Sequence, residues 1–122
     1  RNTEPVGFQR NLDTLITLAK ANGTQVVLFP FIQRTQDLAM AMPKQYEGLE
    51  QSFIEGLAIN TKVMADAAKK HQLHYIEALP DRFDPAWFMD NCHLNGHGHR
   101  EKAEVLFEYF VDQRLVENAG GQ

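Results

Sequence analysis

The sequence predicts an α/β fold built on a parallel sheet, and three observations carry that prediction. Two short, largely apolar runs, residues 25–29 (Gln-Val-Val-Leu-Phe) and residues 73–78 (Leu-His-Tyr-Ile-Glu-Ala), read as strands. The segment between them contains apolar residues at helical spacing, and further helical segments flank the pair. The first run is unbroken, which suits a strand covered on both faces. A strand, a crossover helix and a strand then make a right-handed parallel βαβ unit.

The elements follow in order. Residues 5–21 form a first helix: Pro5 suits a first turn, and Phe8, Leu12, Leu15, Ile16 and Ala19 make an apolar stripe. Asn22-Gly23 stops it, since both residues tolerate left-handed backbone angles. Strand 25–29 ends at Pro30. Residues 31–45 show no clear period and contain Pro43, so they read as a loop at the carboxyl end of that strand. A second helix spans residues 46–71, with Phe53, Leu57, Met64 and Ala68 on one face and Ile54, Ala58 and Ala65 beside it. Gly48 and Gly56 weaken it slightly. Strand 73–78 leads to a loop over residues 79–89, which carries Trp87 and Phe88. Asn95 is the N-cap of a last helix that runs to Val116, with Glu101 in its early turns. Its apolar face comprises Ala103, Leu106, Phe107, Phe110, Val111 and Leu115.

Two strands make a poor sheet, because each keeps an unpaired edge. The pattern of three helices and two strands therefore reads as the last part of a three-layer, doubly wound, flavodoxin-like α/β domain. Residues 1–117 belong to one such domain, and residues 118–122 form a flexible tail.

Bulk properties narrow the function. The chain has 122 residues, 43% of them hydrophobic and 23% charged, with a net charge of −4. Its basic residues are scattered, which argues against a nucleic-acid partner. No apolar run is long enough to span a membrane. A lone cysteine, Cys92, forms no internal disulfide and does not identify the compartment. The chain begins at Arg1, as expected of a processed product or a fragment whose upstream half is elsewhere.

The chemistry concentrates in residues 90–99, Asp-Asn-Cys-His-Leu-Asn-Gly-His-Gly-His. In a turn that opens a helix, Asp90 can accept the Nδ1–H of His93, which leaves Nε2 as a general base. In an open parallel sheet, ligands bind beyond the carboxyl ends of the strands, where this loop emerges. The competing reading is that His93 bonds locally and Asp90 merely supports the turn, since Asp-x-x-His is short and has many chance matches.

The wider run Asp90-Asn91-Cys92-His93-Leu94-Asn95-Gly96-His97-Gly98, followed by Ala103 on the helix, resembles the final conserved block of the SGNH hydrolases, the GDSL esterase/lipase family. Asn11-Leu12, Ala19-Lys20-Ala21-Asn22-Gly23 and Val26-Val27-Leu28 also look like the helix and strand after that family's third block. The resemblance implies a serine esterase or lipase acting on acyl or acetyl esters. Its serine attacks, its histidine takes the proton and its aspartate orients the histidine. Two of those roles land here: His93 as general base and acid, and Asp90 as its orienter. The family's Gly-Asp-Ser, glycine and Gly-x-Asn-Asp blocks are missing, and Arg1-Asn2-Thr3-Glu4 does not match the last of them. Ser52, the only serine, sits in a helix interior rather than a tight strand-to-helix turn. The chain alone is therefore expected to be inactive toward esters. No metal or organic cofactor is implied.

Other residues are assigned by position. Phe31, Gln33, Arg34 and Trp87 are substrate-contact candidates, although core packing competes for Trp87 and Phe88. His93 and His97 have a helical metal-ligand spacing, with Cys92, Asp90 and His99 nearby. The helix start at Asn95-Gly96 separates them, so His97 and His99 read as solvated or helix-terminal. Cys92 reads as a buried, inert thiol that points away from His93. Asp81, Arg82 and Asp84 read as a solvated loop, and His71 and His74 receive no role. The expected partners are a small-molecule or glycan ester and either the missing amino-terminal half or a second copy of the chain. Two alternatives are a non-catalytic α/β binding or interaction domain, and a polysaccharide acetyltransferase or deacetylase on the same fold.

Overall fold

The computed structural model describes residues 5–34, 36–77 and 79–116. The tail 118–122, the segment around Asn2 and the last position of the expected strand 73–78 lie outside these residues. The chain is mixed α/β and mostly helical. It contains α1 (Val6–Ala21), β1 (Val27–Leu28), α2 (Leu38–Ala41), α3 (Glu50–His71), β2 (His74–Tyr75) and α4 (Gly96–Asp112), with short 3-10 turns at Lys44–Tyr46, Pro80–Arg82 and Pro85–Trp87. It divides into two compact units, one of residues 1–32 and 44–78, the other of residues 33–43 and 79–122.

The first unit holds α1, β1, α3 and β2. The two strands pair in parallel, Val27 opposite His74 and Leu28 opposite Tyr75, and the Ile76 N–H donates to the Leu28 carbonyl at 2.9 Å. Its core is Ile16, Leu28, Ala67 and Ala68, with Leu12, Val26, Met64, Leu73 and Tyr75 packed around it. Val26 and Leu28 share this core because alternate strand residues point to one face. Val27, on the other face, is only half-buried, so the strand is not covered on both faces as its apolar run suggested.

The helices correct the expected stripes. On α1, Leu12, Ile16 and Ala19 turn inward, while Phe8 and Leu15 are exposed. The helix packs on one side only, so a narrower stripe than the sequence offers is sufficient. Helix α3 starts at Glu50 rather than Tyr46, after a 3-10 turn and Gly48 at φ 84°. Its burial is concentrated in Ala67 and Ala68 near the carboxyl end, and Phe53 and Ile54 are exposed. It ends at Gln72 in the left-handed region, φ 55°, where the Leu73 N–H returns to the Ala68 carbonyl at 2.8 Å. For α1, the stop comes from Gly23 at φ 71°. Asn22 stays outside the left-handed region and donates its side-chain amide to the Leu18 carbonyl.

Helices α1 and α3 are also tied by charge. Asp13 accepts from Lys70 at 2.9 Å and lies 2.7 Å from His71 Nε2, and Lys20 Nζ donates to the His71 carbonyl at 2.9 Å. These bonds to Lys70 and His71 hold the Asp13 carboxyl below its ordinary value. His71 thus has a structural partner that the sequence did not reveal.

The second unit holds α2 and α4. Helix α2 is four residues long, too short to show a period, so the sequence reads it as loop. Helix α4 ends at Asp112, short of Val116, and buries Gly98 and Val105 while Phe107 is exposed. Arg82 is held by Glu101 and Glu108, two acidic residues seven apart on α4. Their carboxylates raise the guanidinium pKa, and Arg82 in turn lowers that of Glu108.

Ile16, 1% exposed, is the keystone of the first unit's core. Ile16→Ala is expected to cost about 2–5 kcal/mol and Ile16→Val about 0.5–1.5 kcal/mol. Leu15→Ala, one residue away and exposed, should stay within about 0.5 kcal/mol of wild type. Equilibrium urea unfolding of the three variants checks the ranking.

Candidate active-site turn

The turn and the residues that bond to it below belong to the second unit. Residues 87–89 and 93–95 run antiparallel around it. The Met89 N–H donates to the His93 carbonyl at 2.7 Å, the Asn95 N–H to the Trp87 carbonyl at 2.8 Å, and Phe88 forms a bridge with Leu94. Phe88, Leu94 and Asn91 are buried and anchor this small hairpin. The Arg34 N–H donates to the Asn91 carbonyl at 3.0 Å, which ties the turn to the chain beyond Gln33.

Asp90 organises the tip. Its Oδ1 accepts the backbone N–H groups of Cys92 at 2.8 Å and His93 at 2.7 Å. Its Oδ2 lies 2.6 Å from His93 Nδ1. Burial opposes the charge on Asp90, but the two backbone donors and the imidazole outweigh it and lower its pKa to about 2. The carboxylate is therefore ionised at neutral pH and can only accept, so Nδ1 must carry the proton. In the neutral ring, Nε2 is then the basic nitrogen. It has no hydrogen-bond partner among the described residues, and the His93 side chain is 69% exposed. The geometry thus presents an oriented base to an incoming group.

The helix that follows is set by the same segment. Asn95 Oδ1 accepts from the His97 and Gly98 N–H groups at 2.9 and 3.1 Å, as expected of an N-cap, and its amide donates to the Ala86 carbonyl. Gly98 lets α4 approach the hairpin: a Cβ there would lie 2.7 Å from Leu94 Cδ2 and 3.1 Å from the Trp87 carbonyl oxygen.

Cys92 departs from expectation. It is half-buried rather than buried, and its Sγ lies 3.5 Å from His93 Nδ1 instead of pointing away. Burial and the neighbouring Asp90 charge raise its pKa. Among the described residues, Asp90, Cys92 and His93 bring three ligand atoms within 4.8 Å of one another. Both Asp90 oxygens are already engaged and the thiol is held protonated, so this donor set is poorly suited to a metal ion. His97 and His99, exposed in the first turn of α4, do not join it.

The substrate-contact candidates divide. Gln33, Arg34 and Trp87 line one cleft of about 400 Å³, together with Asp81, Arg82 and Asp84. Phe31 belongs to the first unit and is exposed. Gln33 is buried, and its Nε2 has no hydrogen-bond partner among the described residues. An unpaired buried donor of this kind costs about 1–3 kcal/mol. The sequence reads Asp81, Arg82 and Asp84 as solvated loop, but Arg82 is anchored to α4, and Asp84 accepts the Ala86 N–H at 2.8 Å. The one available signal was the seven-residue spacing of Glu101 and Glu108, which puts two acids on one helix face. Ser52 lies in the first turn of α3, not in a helix interior, and is exposed. It is not in a strand-to-helix turn.

Two outcomes follow from this geometry. Because Asp90 titrates lower folded than unfolded, its stabilising contribution is complete above about pH 3.9. That contribution is lost as pH falls through about 2. Wild type should therefore lose more stability than Asp90→Asn across that window in urea unfolding. Gly98→Ala should destabilise by about 1–2 kcal/mol through overpacking against the fixed Trp87 carbonyl, although alanine normally favours a helix over glycine by about 1 kcal/mol. Thermal melts read the sign directly.

No protein-family model matches this chain, and no curated protein matches it.

Proposed function

We propose that the chain is the acid–base portion of a serine ester hydrolase of the SGNH type, with His93 as general base and acid and Asp90 as its orienter. The observation that carries this reading is the 2.6 Å contact between Asp90 Oδ2 and His93 Nδ1, which leaves Nε2 unengaged. The resemblance of residues 90–98 to that family's last block supports it further.

In this reading, Nε2 takes the proton of a serine hydroxyl as its oxygen attacks the ester carbonyl. The Asp90 carboxylate stabilises the imidazolium that forms, and the proton then passes to the departing alcohol oxygen. Water repeats the sequence to release the acid and free the serine. The serine itself lies outside these residues, because Ser52 is remote in sequence, exposed and in the wrong local structure. The domain is completed as a three-layer, doubly wound, flavodoxin-like sheet by strands from an upstream segment, which would pair with the β1–β2 sheet, two-stranded among the described residues.

A polypeptide containing this chain and the upstream serine block should be labelled by a fluorophosphonate probe. His93→Ala should abolish the labelling and lower kcat for an alkyl acetate by about a thousandfold or more. The 122-residue chain alone should form no acyl-enzyme. Undiminished turnover by His93→Ala, or an acyl-enzyme on the chain alone, would overturn the proposal.

A further inference from the structure

The cleft beside the turn has a chemistry that the acid–base pair does not use. It is lined by Gln33 and Arg34 from one stretch of the second unit and by Asp81, Arg82, Asp84 and Trp87 from the other. Its volume of about 400 Å³ falls in the range of about 300–1,000 Å³ usual for small-molecule sites. Backbone bonds join it to the turn, from Arg34 to Asn91 and from Asn95 to Trp87. At 9% exposed, Gln33 is a buried polar side chain in its wall, and its solvent-shielded Nε2 has no partner among the described residues.

The charges select the ligand class. Arg82 is already neutralised by Glu101 and Glu108. Arg34 donates through Nε to the Gln36 carbonyl at 2.8 Å and its guanidinium lies 4.0 Å from the Asp37 carboxylate, while Asp81 and Asp84 add two more carboxylates to the lining, so an anion would meet net repulsion. Half-buried Trp87 offers an apolar surface whose negative π-face suits polarised C–H groups. Carboxylates that accept, a guanidinium with N–H groups left to donate, and Trp87 as the half-buried aromatic platform fit a ring that carries hydroxyls on its edge and C–H groups on its face.

We propose that this cleft binds a neutral pyranose, with an N–H of the Arg34 guanidinium donating to a ring hydroxyl, Asp81 accepting from another, and Trp87 packing on the sugar face. Placing the sugar as the alcohol of the ester rests on the hydrolase reading above; its binding does not.

The test is a titration of the 122-residue chain with methyl glycosides of glucose, galactose, xylose and N-acetylglucosamine, read by the fluorescence of Trp87, the only tryptophan. Inorganic phosphate and sodium acetate serve as anion controls. At least one glycoside should give a saturable change with millimolar affinity, and the anions none. Arg34→Met should weaken that glycoside about tenfold, equivalent to about 1.4 kcal/mol. Asp81→Ala, at an exposed position where folding is not at stake, should weaken it several-fold. No saturable response to any glycoside, a stronger response to phosphate or acetate, or unchanged affinity in both variants would overturn the proposal. Fluorophosphonate labelling of the longer polypeptide separates the two readings. Labelling without glycoside binding removes the sugar site and leaves the hydrolase, whereas glycoside binding without labelling removes the hydrolase and leaves the site.

Discussion

One carboxylate holds the functional end of this molecule together. Asp90 accepts three hydrogens from within three residues: two backbone N–H groups at Oδ1 and one imidazole N–H at Oδ2. The same bonds that shape the turn fix the orientation of His93. Local structure and chemistry are therefore not separable at this position. Charge-assisted hydrogen bonds are stronger than neutral ones, and the lowered pKa of Asp90 is their thermodynamic trace. The surrounding hairpin supplies rigidity at low cost, because Phe88 and Leu94 are buried on either side of the turn.

Much of this site could be read in the sequence because its interactions are local. Asp90 and His93 are three residues apart, and Asn95 caps the helix that starts one residue later. Such short-range patterns depend on backbone geometry that a few residues determine. The cleft is different. Gln33, Arg34 and Trp87 could be placed by their position after a strand or ahead of the turn, but the role of Arg82 depends on Glu101 and Glu108, 19 and 26 positions away. The seven-residue spacing of the two acids marks a shared helix face, but nothing near Arg82 in sequence points to it.

The fold shows the same division. Helix existence and order follow from periodicity, and the parallel pairing of the two strands follows from the intervening helix. Which apolar residues are inside did not follow. Leu15 and Phe107 lie on stripes that helical spacing marks as internal, yet both are 65% exposed. Periodicity identifies the faces a helix could bury, whereas the neighbours present decide how much of each face is covered. A helix that touches one layer buries one narrow stripe. The four-residue α2 lies below the length at which any period can be detected.

The ties between α1 and α3 are unevenly placed. Asp13 and Lys20 reach Lys70 and His71, all in the last turn of α3, whereas Val6 and Phe8 at the opposite end of α1 are exposed. The helix is clamped along its second half and only self-supported along its first. Amide hydrogens along α1 should therefore exchange with solvent in a gradient, fastest near Val6 and slowest around Ile16. A uniform helix by backbone geometry is, in its opening dynamics, two different segments.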